Sequence, residues 1–352
     1  MSKSSLQGVC VGAGFFSHFQ FAAWNRIPEV RITALCNRNV KRAEAAAKEH
    51  GIPKVYGYDQ FEEMLEREKP DFIDLITPPE THLELVRIAA ARGIAVICQK
   101  PLAPTMEECV AVVETAQKAG IRFVVHENWR WKPWYREIKK RQLDGTLGEL
   151  HSISVCMRMG DGWQEDAYLA RQPFFREYPR LIIYETGVHF LDTFRFLGGE
   201  INSITCRLQR RNPAIRGDDA GQVLAGFASG ATALLDASRY NEAEVDDPRH
   251  TFGSVRVDAE KGHIRLDTDG RLFLKQLGQP VREIAYSHPR GPGIFAGDCV
   301  YFFQRHATDC LLTGQEFEST GEDYLKSIAL MEACYESHKQ GKTITLNTCG
   351  RE

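Results

Sequence analysis

Nine residues near the N-terminus, Val9-Cys10-Val11-Gly12-Ala13-Gly14-Phe15-Phe16-Ser17, decide the fold. The first three are apolar and read as the end of a strand. Gly12 permits a sharp turn, and Gly14 lets the backbone approach a phosphate group. The next run begins a helix, whose N-terminus offers free N–H groups and partial positive charge to an anion. Its expected buried stripe is Phe19, Ala23 and Ile27. The stretch therefore predicts a pyrophosphate site, although two glycines in a loop are also typical of an ordinary turn.

Up to about residue 125 the sequence alternates short apolar runs with runs of helical periodicity. The apolar runs predict strands at 6–11, 31–36, 72–76, 94–98 and 121–125. The periodic runs predict helices at 41–50, 61–67, 82–92 and 106–119, with Thr105 as an N-cap and Gly93 and Gly120 as C-terminal glycines. Continuously apolar strands separated by helices predict a parallel, doubly wound α/β sheet of the Rossmann kind. Ligands of such sheets bind beyond the carboxyl ends of the strands.

After Asn128 the pattern changes to alternating strands joined by short turns. Strands are expected at 153–159, 201–208, 222–228, 231–237, 254–257, 263–266 and 271–276. Helices are expected at about 181–197, 297–313 and 322–340. This half predicts an α+β domain with a mostly antiparallel, open sheet, and the expected domains are 1–127 and 128–352.

Composition excludes several classes of protein. The net charge of -3 leaves no electrostatic footprint for nucleic acid or an anionic membrane. The N-terminus lacks an apolar signal segment, and no apolar run approaches the ~20 residues that span a bilayer. The ten cysteines are scattered without a C-x-x-C pair. Reduced, buried thiols and a cytoplasmic location are therefore expected.

The strand expected at 94–98 leads directly into Gln99-Lys100-Pro101. A lysine at the carboxyl end of a parallel strand, followed by a proline of fixed φ, is held over the ligand crevice. The competing interpretation is an ordinary surface lysine.

A second cluster of reactive side chains is Glu185-x-x-x-His189-x-x-Asp192. In an α-helix these three residues share one face. Carboxylates beside a histidine stabilise its imidazolium form and fix its tautomer, which suits a proton acceptor. A hydrogen-bonded helix histidine without a catalytic role is the main alternative. Divalent metal binding is a third, but further ligands are missing, so no metal is expected.

Taken together, the motifs occur in one order along the chain. They are G-x-G after the strand expected at 6–11, Thr77-Pro78 with His82 after 72–76, Lys100-Pro101 after 94–98, Asn128-x-Arg130-x-x-Pro133 after 121–125, and Gly187-x-His189-x-x-Asp192 in a helix. In this combination the chain resembles the glucose–fructose oxidoreductase / inositol dehydrogenase / rhizopine-catabolism (Gfo/Idh/MocA) family over nearly its whole length.

The resemblance implies a pyridine-nucleotide oxidoreductase that acts on a sugar or polyol hydroxyl. Residues 1–127 would bind the dinucleotide, and residues 128–352 would bind substrate and form a homodimer or homotetramer. Lys100 would hydrogen-bond the reacting hydroxyl, and His189 would take its proton. Glu185 would orient His189 or relay its proton. Asp192 would contact the substrate or Lys100.

Three positions depart from the family pattern. Gln99 replaces a glutamate beside the lysine, and Ser17 replaces the third glycine. Asn37 ends the second strand, where an acidic residue would bind the ribose of NAD. Asn37 can still hydrogen-bond the ribose, which favours NAD. Arg38 could pair with the 2′-phosphate of NADP, so NADP is the alternative cofactor. The full set of expected cofactor contacts is Gly12, Gly14, Phe15, Phe16, Asn37, Arg38, Thr77, Pro78, His82, Gln99, Lys100 and Asn128.

A long connection, residues 159–180, follows the first strand of the second half and is rich in aromatic residues and arginine. Long ordered loops often serve as lids, although a structural loop or a subunit contact would look the same. The expected substrate contacts are Lys100, Trp129, Arg130, Arg158, Trp163, Tyr168, Arg180, Glu185 and His189.

The prediction is a cytoplasmic NAD(P)-dependent dehydrogenase of a sugar or polyol, with a branched or linear aldose as the first substrate considered. One alternative is glycoside cleavage or epimerisation through transient oxidation, in which no net NADH appears. Another is a non-catalytic sensor of NAD or sugar.

Overall fold

The computed structural model describes residues 3–346. Contacts divide the chain into two units. The first comprises the chain up to Asn128 together with Gly291–Ile294 and Cys299–Lys326. The second comprises Trp129–Arg290, Phe295–Asp298 and the chain from Ser327. The expected division at 127/128 had grouped residues 291–294 and 299–326 with the second half.

The first unit is built on a six-stranded parallel sheet. Its strands, in the spatial order β3-β2-β1-β4-β5-β6, are β1 (Leu6–Val11), β2 (Val30–Asn37), β3 (Lys54–Gly57), β4 (Phe72–Leu75), β5 (Ala95–Gln99) and β6 (Phe123–His126). The helices between them are α1 (Ser17–Trp24), α2 (Val40–His50), α3 (Phe61–Glu68), α4 (His82–Ala90) and α5 (Met106–Ala119). The predicted Rossmann-type sheet is confirmed, and β3 is an additional short strand.

Helix ends follow the predicted chemistry. The side chain of Thr105 accepts a hydrogen bond from the backbone N–H of Glu108 at 3.2 Å. Gly93 and Gly120 both adopt the left-handed conformation, with φ of 68° and 67°. In α1 the predicted stripe is partly wrong, because Phe19 is only half-buried. The buried residues of this helix are Ser17, Gln20, Phe21, Ala23 and Trp24.

The second unit holds a nine-stranded sheet in the order β14-β13-β12-β11-β7-β10-β9-β8-β15. Helices α6 (Pro133–Leu143) and α7 (Val188–Gly198) also belong to this unit. The strands are β7 (Leu150–Arg158), β8 (Ile201–Gln209), β9 (Ala220–Phe227), β10 (Thr232–Ser238), β11 (Ser254–Ala259), β12 (Gly262–Leu266), β13 (Leu272–Gln276), β14 (Arg282–Ile284) and β15 (Ile344–Thr345). Strands β7 and β10 pair in parallel, and the other neighbours are antiparallel. The mostly antiparallel sheet is therefore confirmed.

Two further helices complete the fold. Helix α8 (Cys299–Thr313) belongs to the first unit, and α9 (Gly321–Gln340) begins in the first unit and continues in the second. Within residues 3–346, no helix is both long enough and apolar enough to cross a membrane.

One face of the nine-stranded sheet carries exposed apolar side chains. Leu224 of β9 and Leu234 of β10 are directly opposed across the ladder and are 50% and 41% exposed. The alternate residues, such as Val223 and Leu235, are fully buried. This alternation is typical of an antiparallel sheet with one covered face.

Candidate active site

The glycine turn after β1 has the geometry of a phosphate cradle. Gly12 has a φ of +111°, and a Cβ atom there would lie 2.4 Å from the backbone oxygen of Ile76. Only glycine fits this position. A Cβ at Gly14, in contrast, would meet no heavy atom within 4 Å. The open side of Gly14 leaves room for a group bound against the backbone.

Helix α1 presents its N-terminus without a protein cap. Its N-cap residue, Phe16, makes no side-chain capping hydrogen bond, and its first turn holds no acidic residue. Helices α2 and α5 are capped by Asn39 and Thr105, whereas α3, α4, α6 and α7 also lack a side-chain cap. The Ser17 hydroxyl, instead of capping, donates to the Gly14 carbonyl at 2.7 Å and stiffens the turn. The uncapped N–H groups and the open glycine fit the pyrophosphate of a dinucleotide.

Asn37, at the end of β2, is joined to the same turn. Its side-chain oxygen accepts a hydrogen bond from the Ala13 N–H at 3.1 Å, and its amide donates to the Asn39 carbonyl at 2.8 Å. The neighbouring Arg38 is exposed. Asn37 therefore orients the turn from the position where a ribose contact is expected.

His82 fixes the loop that follows β4. Its ring is fully buried, with Nδ1 at 2.9 Å from the Leu102 carbonyl and Nε2 at 2.9 Å from the Thr77 carbonyl. Burial lowers the pKa of His82. Thr77 also accepts a hydrogen bond from the Thr81 hydroxyl at 2.7 Å. His82 thus links two loops at the carboxyl edge of the sheet, and Pro78, in the loop after β4, is exposed.

Gln99 belongs to a buried polar network. Its side-chain amide donates to Gln20 Oε1 at 2.9 Å and lies 3.2 Å from Nδ1 of His126. Its oxygen accepts the backbone N–H of Lys100 at 2.8 Å. A neutral amide here can both donate and accept, which a glutamate could do only when protonated. Lys100 is half-buried and precedes a cis peptide bond to Pro101.

The other predicted cofactor contacts of the first unit flank these groups. Asn128 is buried, and its amide lies 3.3 Å from the Cys299 sulfur. The rings of Phe15 and Phe16 lie 5.9 and 5.7 Å from that of Phe19, and Phe15 is 39% exposed.

In the second unit, His189 lies face to face with Trp129. The two rings are parallel within 3°, and their centroids are 4.5 Å apart. Phe190 and Phe252 pack against the same indole at 4.8 and 4.5 Å. His189 is 5% exposed. The stack fixes the plane of an imidazole that keeps a small opening to its surroundings.

Glu185 lies in a π-helical segment, Ile182–Gly187, that continues into α7. Its carboxylate accepts a hydrogen bond from the Arg239 guanidinium at 2.7 Å, and Arg239 also contacts Asp161 at 2.9 Å. Burial alone would lower the pKa of Arg239, but Asp161, Tyr168 and Glu185 together raise it. The sequence did not indicate Arg239, because its partner Glu185 lies 54 positions earlier and the two meet only in the folded chain.

Asp192 is buried in a separate ion pair. Arg130 grips it with two hydrogen bonds, of 2.8 and 2.5 Å, and the Ser327 hydroxyl donates to it at 3.0 Å. Both charged side chains are almost completely buried. This bidentate pair holds the 3₁₀ turn Trp129–Trp131 against α7, and so it supports the stack at His189.

The remaining substrate candidates differ in their surroundings. Arg158 pairs with Asp236 at 2.6 Å, and Arg180 pairs with Glu332 at 2.6 Å. Tyr168 is buried in a small cluster with Phe175, whereas Trp163 is 40% exposed. Of these side chains, Trp163 is the most accessible to a ligand.

The structure thus groups the predicted residues within each unit. Gly12, Gly14 and Asn37 meet in the first unit, and Trp129 and His189 meet in the second, while Lys100 and His189 belong to different units. Among residues 3–346, no group of three potential metal-ligand atoms within 4.8 Å of one another is formed by Glu185, His189 and Asp192.

Comparisons with known proteins agree with these features. The model of the GFO/IDH/MocA oxidoreductase family, with its NAD-binding Rossmann fold, matches residues 6–127. The model of the GFO/IDH/MocA C-terminal domain matches residues 135–265.

Two curated relatives cover almost the whole chain. D-apiose dehydrogenase of Paraburkholderia graminis is 34% identical over 98% of this chain and 91% of that protein. D-apiose dehydrogenase of Rhizobium rhizogenes is 32% identical over 98% of this chain and 99% of that protein. An oxidoreductase from Agrobacterium radiobacter, solved in complex with NAD+, L-tartaric acid and magnesium, superposes with a TM-score of 0.88 at 32% identity, over 97% of this chain and 98% of its own. The chain therefore belongs to the GFO/IDH/MocA family of NAD-dependent oxidoreductases.

Proposed function

We propose that this protein oxidises a hydroxyl of a sugar or polyol with NAD as the hydride acceptor, and that D-apiose is the first substrate to test. The observation that carries the substrate class is the identity of 34% and 32% to two D-apiose dehydrogenases over 98% of the chain. The glycine turn and the uncapped α1 support the cofactor assignment.

Bound NAD supplies the carbon that accepts a hydride. We assign the hydroxyl proton to His189, since a neutral imidazole accepts a proton at near-neutral pH. Its stack on Trp129 limits the ring to one plane, so the accepting nitrogen is held in a fixed direction. Glu185 is held by Arg239 and would orient the substrate or the histidine.

We assign Lys100 a hydrogen bond to the reacting oxygen. An ammonium group stabilises negative charge that develops there as the proton leaves. The buried Gln99 positions this lysine through its backbone N–H. Asp192 remains a predicted catalytic residue, and its pairing with Arg130 supports a positioning role.

We also propose a cytoplasmic location and a homodimer or homotetramer. Nine described cysteines are free thiols, and eight of them are buried, which supports a reducing compartment. The opposed Leu224 and Leu234 supply an apolar surface for a second copy of the chain.

The test is absorbance at 340 nm with D-apiose and with a panel of aldoses, polyols and sugar acids, each with NAD and with NADP. A substrate-dependent rise with NAD supports the proposal and identifies the substrate. A flat trace from protein that still binds NADH would favour a closed redox cycle or a sensor. A rise with NADP alone would overturn the cofactor choice.

A further inference from the structure

Two histidines and a glutamate converge on the surface of the first unit, at the start of α1 and the end of α2. His18 lies in the first turn of α1, and Glu49 and His50 are the last two residues of α2. One potential ligand atom from each lies within 4.8 Å of the other two, and no other such group of three occurs among residues 3–346. The sequence did not predict this cluster, because His18 is 32 positions from His50.

The spacing of these atoms matches a metal coordination sphere. Nδ1 of His18 lies 3.1 Å from Nε2 of His50. The two carboxylate oxygens of Glu49 face the two rings, at 3.4 Å from His18 and 3.6 Å from His50. Neighbouring ligands of a tetrahedral zinc ion, with bonds of about 2.0–2.2 Å, are about 3.3–3.6 Å apart. The two distances to Glu49 lie within this range, each to a different carboxylate oxygen, and the distance between the two rings is a few tenths of an ångström shorter. Only a small movement of the side chains would bring the three groups around an ion.

A hydrogen bond between the two rings explains less of this arrangement. One N–H between the imidazoles would account for the 3.1 Å separation. It would leave Glu49 beyond the usual N–H···O range of about 2.7–3.2 Å from both rings. A cation in place of that proton uses all three side chains.

The surroundings hold His50 in place. Its ring packs edge-on against Phe21 at 5.4 Å, and its carbonyl accepts a hydrogen bond from Asn25 at 2.9 Å. The carboxyl end of α2 adds negative potential at the same point.

We propose that His18, Glu49 and His50 form a binding site for a transition-metal dication of the zinc class. Two imidazoles and one carboxylate select zinc, cobalt or nickel over magnesium and calcium, which prefer oxygen ligands. The side chains of His18 and Glu49 are 40% and 61% exposed, so an ion can enter from solvent and retain water as a further ligand. An ion held here would tie the first turn of α1 to the end of α2.

The test uses full-length, tag-free protein stripped of metal and titrated with Co²⁺, without NAD or substrate. We expect one equivalent of Co²⁺ to bind and to produce a visible absorption band, and Zn²⁺ to displace it. Zn²⁺ should also raise the thermal unfolding midpoint, because the ion binds the native state. If the protein has no dehydrogenase activity but still binds Co²⁺ through His18, the metal site stands and the proposed function is wrong.

Variants separate this site from adventitious binding. We expect His18→Ala and Glu49→Gln each to weaken Co²⁺ binding at least tenfold. The controls are Glu44→Gln, at an exposed position of α2, and His151→Ala, at an exposed position of the second unit. Both should bind Co²⁺ like the parent protein. Circular dichroism checks that each variant is folded. Unchanged Co²⁺ affinity in folded His18→Ala, or no binding tighter than millimolar in the parent, would overturn the proposal.

Discussion

At the scale of single residues, the stack of His189 on Trp129 sets the orientation of the base in the mechanism that we propose. Parallel rings 4.5 Å apart prevent the imidazole from tipping out of its plane. A base that is held in one orientation loses little entropy when it meets its substrate. The Arg130–Asp192 pair supports the stack from the side of α7.

The first prediction concerns His189 itself. Replacing it with alanine should lower kcat for the substrate identified above by about 10²–10⁴-fold, the usual contribution of a general base. NADH affinity, measured by fluorescence titration, should stay unchanged. His151→Ala is the matched control and should retain full activity. A loss smaller than tenfold would assign the proton transfer to another group.

A second prediction concerns Asp74, a fully buried carboxyl group in β4. Gln20 donates to both of its oxygens at 3.0 and 2.9 Å, and Trp24 donates at 2.7 Å. Burial raises the pKa of Asp74 to about 7, although these hydrogen bonds oppose the shift. The folded protein thus keeps a proton between about pH 4 and pH 7 that the unfolded chain releases. The stabilisation from this proton is complete below about pH 4 and is lost as the pH rises to about 7.

Asp74→Asn should remove that dependence. Relative to the parent protein, the variant should gain stability as the pH rises from 4 to 7, by up to about 1.4 kcal/mol per pH unit. Urea unfolding at several pH values measures the difference. The exposed Asp166→Asn serves as the control and should follow the parent curve. Parallel curves for Asp74→Asn and the parent would show that Asp74 is ionised in the folded state throughout this range.

At the scale of elements, the two glycines of the turn between β1 and α1 have different roles. Gly12 is required by the backbone, because an added methyl group would lie 2.4 Å from the Ile76 oxygen. Gly14 faces open space. Gly12→Ala should therefore lower the unfolding midpoint and weaken NADH binding together.

Gly14→Ala should leave the unfolding midpoint almost unchanged but weaken NADH binding by about tenfold or more, since the methyl group occupies the space of a phosphate. Thermal unfolding and fluorescence titration on the same samples distinguish the two effects. Unchanged NADH affinity in Gly14→Ala would show that the pyrophosphate lies elsewhere.

Elements with a strong local signal were predictable from sequence, and others were not. The apolar runs of β1, β2, β4 and β5 and the capped helix α5 gave clear patterns. Strand β3 was missed because it has four residues, one of them an exposed lysine. The winding of Ile182–Gly187 was missed because π-helical and α-helical segments have similar compositions.

The partners of site residues were harder to predict than the residues themselves. Asp192 was expected near substrate, but Arg130 lies 62 positions away and pairs with it only in the folded chain. Arg239 and its contact to Glu185 depend on the tertiary fold in the same way. Sequence patterns indicate reactive side chains, whereas contacts over such separations require a structure.

At the scale of the whole molecule, the open face of the nine-stranded sheet is the surface for the proposed homo-oligomer. Leu224→Asp with Leu234→Asp should place two charges where a partner would bury leucines, and the protein should become monomeric in light scattering. Leu143→Asp, at a 78% exposed position of α6, is the control and should keep the parent mass. An unchanged mass in the double variant would exclude this face as the interface.

The π-helical segment that carries Glu185 has a consequence for comparing this chain with its relatives. A π turn is an α turn with one residue inserted. A homologue that lacks this insertion would keep a histidine aligned with His189, yet its helix before that histidine would be rotated by about 100°. Sequence alignment would still place a carboxylate four positions upstream, but the carboxylate would point in another direction. A single-residue gap between 182 and 187 would therefore turn the side chain at position 185 in another direction, even where the residue itself is kept.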